Sequence, residues 1–157
     1  MKNNINDFPI RKIIICRGIP GSGKTFFAKN YTLKDPEHII RINNDDIRNM
    51  LGKYWVPSRE KVVKSIYDIT LMSSMIDGYN IVIDNMNLNS KTCEEIEDIV
   101  KHFNKDDSYN FKYEIEYKDF FIPLEECIER DSKRPNPIGE KVIRDTYEKY
   151  KDIIEHE

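Results

Sequence analysis

The eight residues Gly18-Ile19-Pro20-Gly21-Ser22-Gly23-Lys24-Thr25 constrain this chain more than any other stretch, because they fit the pattern G-x-x-x-x-G-K-[ST]. Ahead of them runs Lys12-Ile13-Ile14-Ile15-Cys16, a short β-branched apolar segment that reads as a buried strand. Behind them, Thr25 to Tyr31 can continue as a helix. A strand, a glycine-rich turn and a helix in that order make an anion nest. Gly18, Gly21 and Gly23 allow turns and close approach, the N–H groups point inward, and the helix N-terminus adds partial positive charge. Ser22 belongs to the same loop, Lys24 brings a cation to the β- and γ-phosphates, and Thr25 offers a hydroxyl to Mg²⁺. The competing reading, a glycine-rich turn with an incidental lysine, does not account for the agreement of both flanks. The expected ligand is therefore ATP or another nucleoside triphosphate.

The rest of the composition narrows the setting. A length of 157 residues suits one domain, 1–157, with residues 1–10 a loose arm ending at Phe8-Pro9. No apolar run approaches membrane-spanning length and the N-terminus lacks a signal-peptide core, so a soluble cytoplasmic protein with no membrane partner is expected. Cys16, Cys93 and Cys127 are widely spaced and contain no C-x-x-C pair, which suits reduced thiols and argues against zinc. The net charge of −3 lacks the basic footprint of a protein that coats nucleic acid, while recognition of a nucleic-acid end by a few arginines stays open.

Periodicity and breakers predict alternating strands and helices. Strands are expected at about 11–16, 37–42 and 79–84 and within 111–121. Helices are expected up to Leu33, over 47–51, from a Ser58 cap to Asp77, over 91–103 behind a Ser90 cap, from Pro123 to Asp131, and from Glu140 to Glu155. Asp45 or Asp46 is a natural cap for the short second helix. The buried face of the long third helix is expected to carry Val62, Ile66, Ile69 and Ile76, with Val63 and Leu71 beside them. This order implies an α/β fold: three layers, a mostly parallel sheet and the P-loop NTPase topology, with a C-terminal lid region at 133–139. Ligands in such sheets sit beyond the carboxyl ends of the strands, so Gly18–Thr25, Asn43–Arg48 and Asp84–Asn89 should converge.

Asp84 ends an apolar strand, where P-loop enzymes hold the metal shell. Asp45 is a candidate general base for an acceptor hydroxyl. Arg48 lies three positions on, and spacing alone leaves two readings open: an arginine paired with the aspartates, or one that holds an anionic group of the acceptor. Arg130 and Arg134 are four apart at the end of a helix entering a Pro-rich segment, where they can close over the triphosphate and neutralise the transferring phosphoryl group. The sequence Asn104-Lys105-Asp106-Asp107 matches a guanine-reading pattern but follows an amphipathic helix rather than a buried strand, and reads as a solvated turn.

Four motifs in this order resemble the 5′-hydroxyl polynucleotide kinases of the phage T4 type and the kinase domain of the eukaryotic end-healing enzymes. They are Gly18–Thr25, Ile42-Asn43-Asn44-Asp45-Asp46-Ile47-Arg48, Ile83-Asp84-Asn85-Met86-Asn87-Leu88-Asn89 and Glu129-Arg130-Asp131-Ser132-Lys133-Arg134. The resemblance runs from about Arg11 to Tyr150. It implies that Lys24 and Thr25 take the phosphates and Mg²⁺, that Asp45 deprotonates the 5′-OH, and that Arg48 contacts the phosphate 3′ to the acceptor nucleoside. It also implies Arg134 on the donor phosphates with Arg130 beside it, and Asn87 on the acceptor side. Met86 stands where the family often has threonine, and Asn44 where the phage enzyme has a basic residue. The chain lacks the D-x-D-x-T signature of a 3′-phosphatase.

The expected activity is transfer of the γ-phosphate of ATP to the 5′-OH end of DNA or RNA, with Lys24, Asp45 and Arg134 catalytic. Two rivals remain at this level. One is a P-loop kinase for a nucleoside, sugar or antibiotic hydroxyl. The other is a nucleotide-binding switch with no acceptor.

Overall fold

The computed structural model describes residues 8–156. Four strands, β1 (Ile10–Arg17), β2 (Ile39–Ile42), β3 (Asn80–Asp84) and β4 (Lys112–Asp119), form one parallel sheet in the order β2-β3-β1-β4. Six α-helices connect and cover it: α1 (Lys24–Leu33), α2 (Asn44–Met50), α3 (Glu60–Ile76), α4 (Ser90–Lys105), α5 (Leu124–Ser132) and α6 (Glu140–Glu155). The loose arm expected over 1–10 falls mostly outside the described residues. At its end, Pro9 O accepts from Lys112 N and Ile10 already belongs to β1.

Alternation along β1 builds the layers. Ile13 and Ile15 face α3 and α4, against Tyr67, Leu71, Met75, Ile96 and Val100. Ile14 and Cys16 face α1, against Ala28, Phe27 and Tyr31. A third cluster joins Ile19 and Leu88 to Cys127 of α5 and Ile143 of α6. Strands buried on both faces are what parallel sheets require.

Four local expectations need correction. The buried face of α3 is Val63, Tyr67, Leu71, Ser74 and Met75, while Ile69 is 66% exposed and Val62 and Ile76 also face outward. The helix carries two apolar stripes of helical period, and packing against the sheet selects the one with the aromatic ring. The cap of α2 is Asn43, whose side chain accepts from Asp46 N at 2.9 Å, so neither aspartate is spent on capping. The cap of α4 is likewise Asn89 rather than Ser90. Ser58 lies in a 3-10 turn, Pro57–Arg59, that leads into α3 without a side-chain cap.

Parallel strands bring the carboxyl ends of β1, β2 and β3 to one edge, with Cys16 opposite Asp84 and Ile42 opposite Ile83. Asparagines tie the loops there together. Asn87 Nδ2 donates to Cys16 O at 2.8 Å, Asn43 Nδ2 donates to Asp84 O, and Asn44 N donates to Asn85 Oδ1 at 2.9 Å. Gly18 N donates to Met86 O at 3.0 Å.

Candidate active site

The loop between β1 and α1 needs its glycines where the sequence has them. Gly21 has φ +83°, and a Cβ there would come within 2.3 Å of Cys127 O. Gly23 has φ +100° and leads straight into α1. Inside the loop the buried Lys24 Nζ donates to Gly18 O at 2.7 Å, Ile19 O at 2.9 Å and Ser22 Oγ at 3.2 Å. Burial lowers its pKa from 10.5 to about 8, with the Asp84 carboxylate opposing the fall. Cys16 beneath it is pushed up to about 12 by burial and then by Asp84, so the thiol is inert.

Asp84 is 1% exposed. Its Oδ2 accepts from Thr25 Oγ1 at 2.9 Å and from Arg41 Nη2 at 2.7 Å. Its Oδ1 has no hydrogen-bond partner among the described residues. A buried carboxylate oxygen without a donor, beside a threonine hydroxyl and a phosphate nest, fits the hard oxygen ligation of Mg²⁺. Thr25 and Asp84 would hold that ion, directly or through its waters.

Arg41 was not foreseen. It reaches from β2 to Asp84 and also to Asp46 on α2. Burial works against its charge, but the bonds to Asp46 and Asp84 outweigh it and hold its pKa above the ordinary value. The available signal was a lone arginine in the apolar run Ile39-Ile40-Arg41-Ile42, ahead of an aspartate pair.

Asp45 faces the same cleft with its side chain half exposed. Its Oδ1 accepts from Arg48 Nη1 at 2.7 Å and from Tyr54 Oη at 2.8 Å. Arg48 is also clasped by Glu60, with Nη2 to Oε1 at 2.6 Å, and these carboxylates raise its pKa, Glu60 first. Arg48 is therefore paired with an aspartate, the first of its two readings, and it also lines the cleft.

The cleft has a volume of about 1030 Å³. The phosphate loop, Asp84 and Arg134 line it together with Asp45, Arg48 and the aromatic pair Tyr54 and Trp55. Arg130 lies beside the loop, its Nη1 3.4 Å from where a Gly23 Cβ would be, and it pairs with Glu126. Arg134 stands on the 133–139 segment, whose end is anchored by the buried Asp131 through Ile138 N and Gly139 N, each at 3.0 Å. Asp131 sits in the quoted motif but was given no part. Asn87 departs from its expected place on the acceptor side: its amide is buried and donates to backbone carbonyls, with φ +50°. The guanine-like pattern is structural, since Asn104 exchanges two 2.8 Å bonds with the backbone of Tyr113. Among the described residues no helix is long and apolar enough to cross a membrane.

A parallel sheet with this loop after β1 and an acid at the end of β3 defines the P-loop NTPase fold, a nucleotide-binding class. Residues 13–156 match the family model AAA_33, an AAA domain, and the chain belongs to that family as a P-loop domain of the kinase type. The L-seryl-tRNA(Sec) kinase of Methanococcus maripaludis is 24% identical over 141 residues, 88% of this chain and 52% of that protein. A chain of the Pnkp1/Rnl/Hen1 RNA repair complex superposes on all of this chain with TM-score 0.72 and 26% identity, over 49% of its own length. A second structure of the Pnkp1/Rnl/Hen1 complex gives TM-score 0.61 and 29% identity over 82% of this chain and 41% of that one. This chain thus spans about half the length of the proteins it matches. The kinship with P-loop kinases expected from the motifs is borne out.

Proposed function

We propose that this protein transfers the γ-phosphate of ATP to the 5′-hydroxyl end of DNA or RNA. The observation that carries the reading is the shared cleft, which Lys24, Thr25 and Arg134 line together with Asp45 and Arg48. Both donors to Asp45 land on Oδ1, which leaves Oδ2 open to a hydroxyl. That oxygen takes the proton, the acceptor oxygen attacks the γ-phosphorus, and the bond to the β–γ bridging oxygen breaks to release ADP. Lys24 and Arg134 balance charge on the equatorial oxygens as the bond breaks. Mg²⁺ held by Thr25 and Asp84 would supply neutralising charge to the triphosphate. Arg48 holds the phosphate 3′ to the acceptor nucleoside. The likeness to a chain of an RNA repair complex supports a nucleic-acid end as acceptor.

A second reading is favoured by the relative named L-seryl-tRNA(Sec) kinase: the hydroxyl would belong to a serine carried on tRNA. Transfer of labelled γ-phosphate to a panel of 5′-OH oligonucleotides, a nucleoside 3′-monophosphate, a plain nucleoside and seryl-tRNA separates them. Label on oligonucleotides and the 3′-monophosphate, lost in Asp45→Asn by about 10²–10⁴-fold, is expected. Label confined to seryl-tRNA or to the plain nucleoside would overturn the end-kinase reading.

A further inference from the structure

Tyr54 and Trp55 follow α2 and are 46% and 53% exposed. Both line the cleft. Among the described residues neither belongs to a buried apolar cluster, so the core does not claim them. Each instead stands against one cation: Arg48 Cζ lies 5.9 Å from the Tyr54 ring centroid and 5.7 Å from that of Trp55. That cation is fixed by Asp45 and Glu60, and Tyr54 is fixed again by its hydroxyl on Asp45. The rings are therefore registered to the candidate base and to the candidate phosphate anchor, while much of their surface stays open to the cleft.

We propose that Trp55, with Tyr54 beside it, is a stacking subsite for a nucleobase at the acceptor's end, and that Arg48 takes the phosphate next to that base. This rests on the acceptor being a nucleic-acid end. An aromatic platform accepts the π-face of any base, so the subsite selects for the presence of a base and little for its identity. A sugar or a serine would leave the indole uncovered. The gain expected from one stacked base is roughly five- to 150-fold in affinity.

Trp55 is the only tryptophan in the sequence, so its fluorescence reports this place alone. The whole chain is titrated with a 5′-OH oligonucleotide and with the same oligonucleotide made abasic at its first two positions. Quenching by the first, and binding of the second weaker by that factor, is expected. Trp55→Leu should bring the two acceptor KM values together, while Trp55→Phe keeps them apart. Equal affinity of the two oligonucleotides for the native chain overturns the subsite, as does a KM ratio that Trp55→Leu leaves in place. The kinase reading fails separately. Base-dependent quenching without phosphoryl transfer would keep the subsite and remove the kinase, and transfer without base dependence would do the reverse.

Discussion

Replacing Asp84 with alanine tests whether the carboxylate at the end of β3 carries a buried ion pair. Asp84 is 1% exposed and its Oδ2 lies 2.7 Å from Arg41 Nη2. The substitution removes the carboxylate together with its own desolvation cost, and strands a guanidinium whose side chain is only 15% exposed. Removing one partner of a buried pair costs about 3–5 kcal/mol. Arg41 keeps Asp46, which is largely solvated, so the low end applies, about 3 kcal/mol. In a chain of this length about 1 kcal/mol moves the melting midpoint by roughly 2–4 °C, so a fall of about 6–12 °C is expected. Urea unfolding measures the loss directly, and adding Arg41→Ala should recover part of it, because the stranded charge goes too. Asp45→Asn provides the contrast: its side chain is 50% exposed, and its loss should shift stability by less than about 1 kcal/mol. A loss below about 1 kcal/mol in Asp84→Ala, at unchanged denaturant slope, would refute the buried-pair argument.

The other outcomes concern the two ends of the donor site. The buried Lys24 ammonium has a pKa of about 8 against 10.5 in the unfolded chain, and a bound polyphosphate favours its charged form. Nucleotide binding should therefore take up protons above pH 8 and weaken as pH rises further; calorimetry at pH 9 in buffers of different ionisation heat reads this, and zero uptake would refute it. For the free chain, the unfolded state holds the proton that the folded state releases, so stability should rise from about pH 8 to 10.5. Asp131→Ala leaves Ile138 N and Gly139 N without their acceptor and should cost about 2–4 kcal/mol in urea unfolding while raising the KM for ATP. Unchanged values of both would show that the 133–139 segment is not held there.

The phosphate loop with its flanking strand and helix was legible because glycine requirements and a β-branched run are local signals. The convergence of three loops followed from parallel topology alone. What escaped the sequence depended on tertiary register. The third helix offers two stripes of the same period, and only the sheet beneath chooses Tyr67 and Leu71 over Ile66 and Ile69. Asparagines precede the capping candidates of α2 and α4, and a cap is decided by which residue turns extended, a choice that composition leaves open. Arg41 was hidden by lying in a strand, where an arginine ordinarily marks an exposed face. Asn87 looked like a site residue because it sits in a site motif, but the left-handed turn after β3 needs its amide for the backbone.

The lysine in the loop shows how function and durability pull apart in this fold. Its lowered pKa corresponds to roughly 3 kcal/mol held against the charged form at neutral pH. A methionine of similar length would relieve that burden and should make the free chain harder to unfold, while leaving the nest without its cation. The residue that best serves an arriving anion is thus the one that a search for thermal robustness would replace, and variants selected only for survival at high temperature would drift toward a well-folded protein that no longer binds nucleotide.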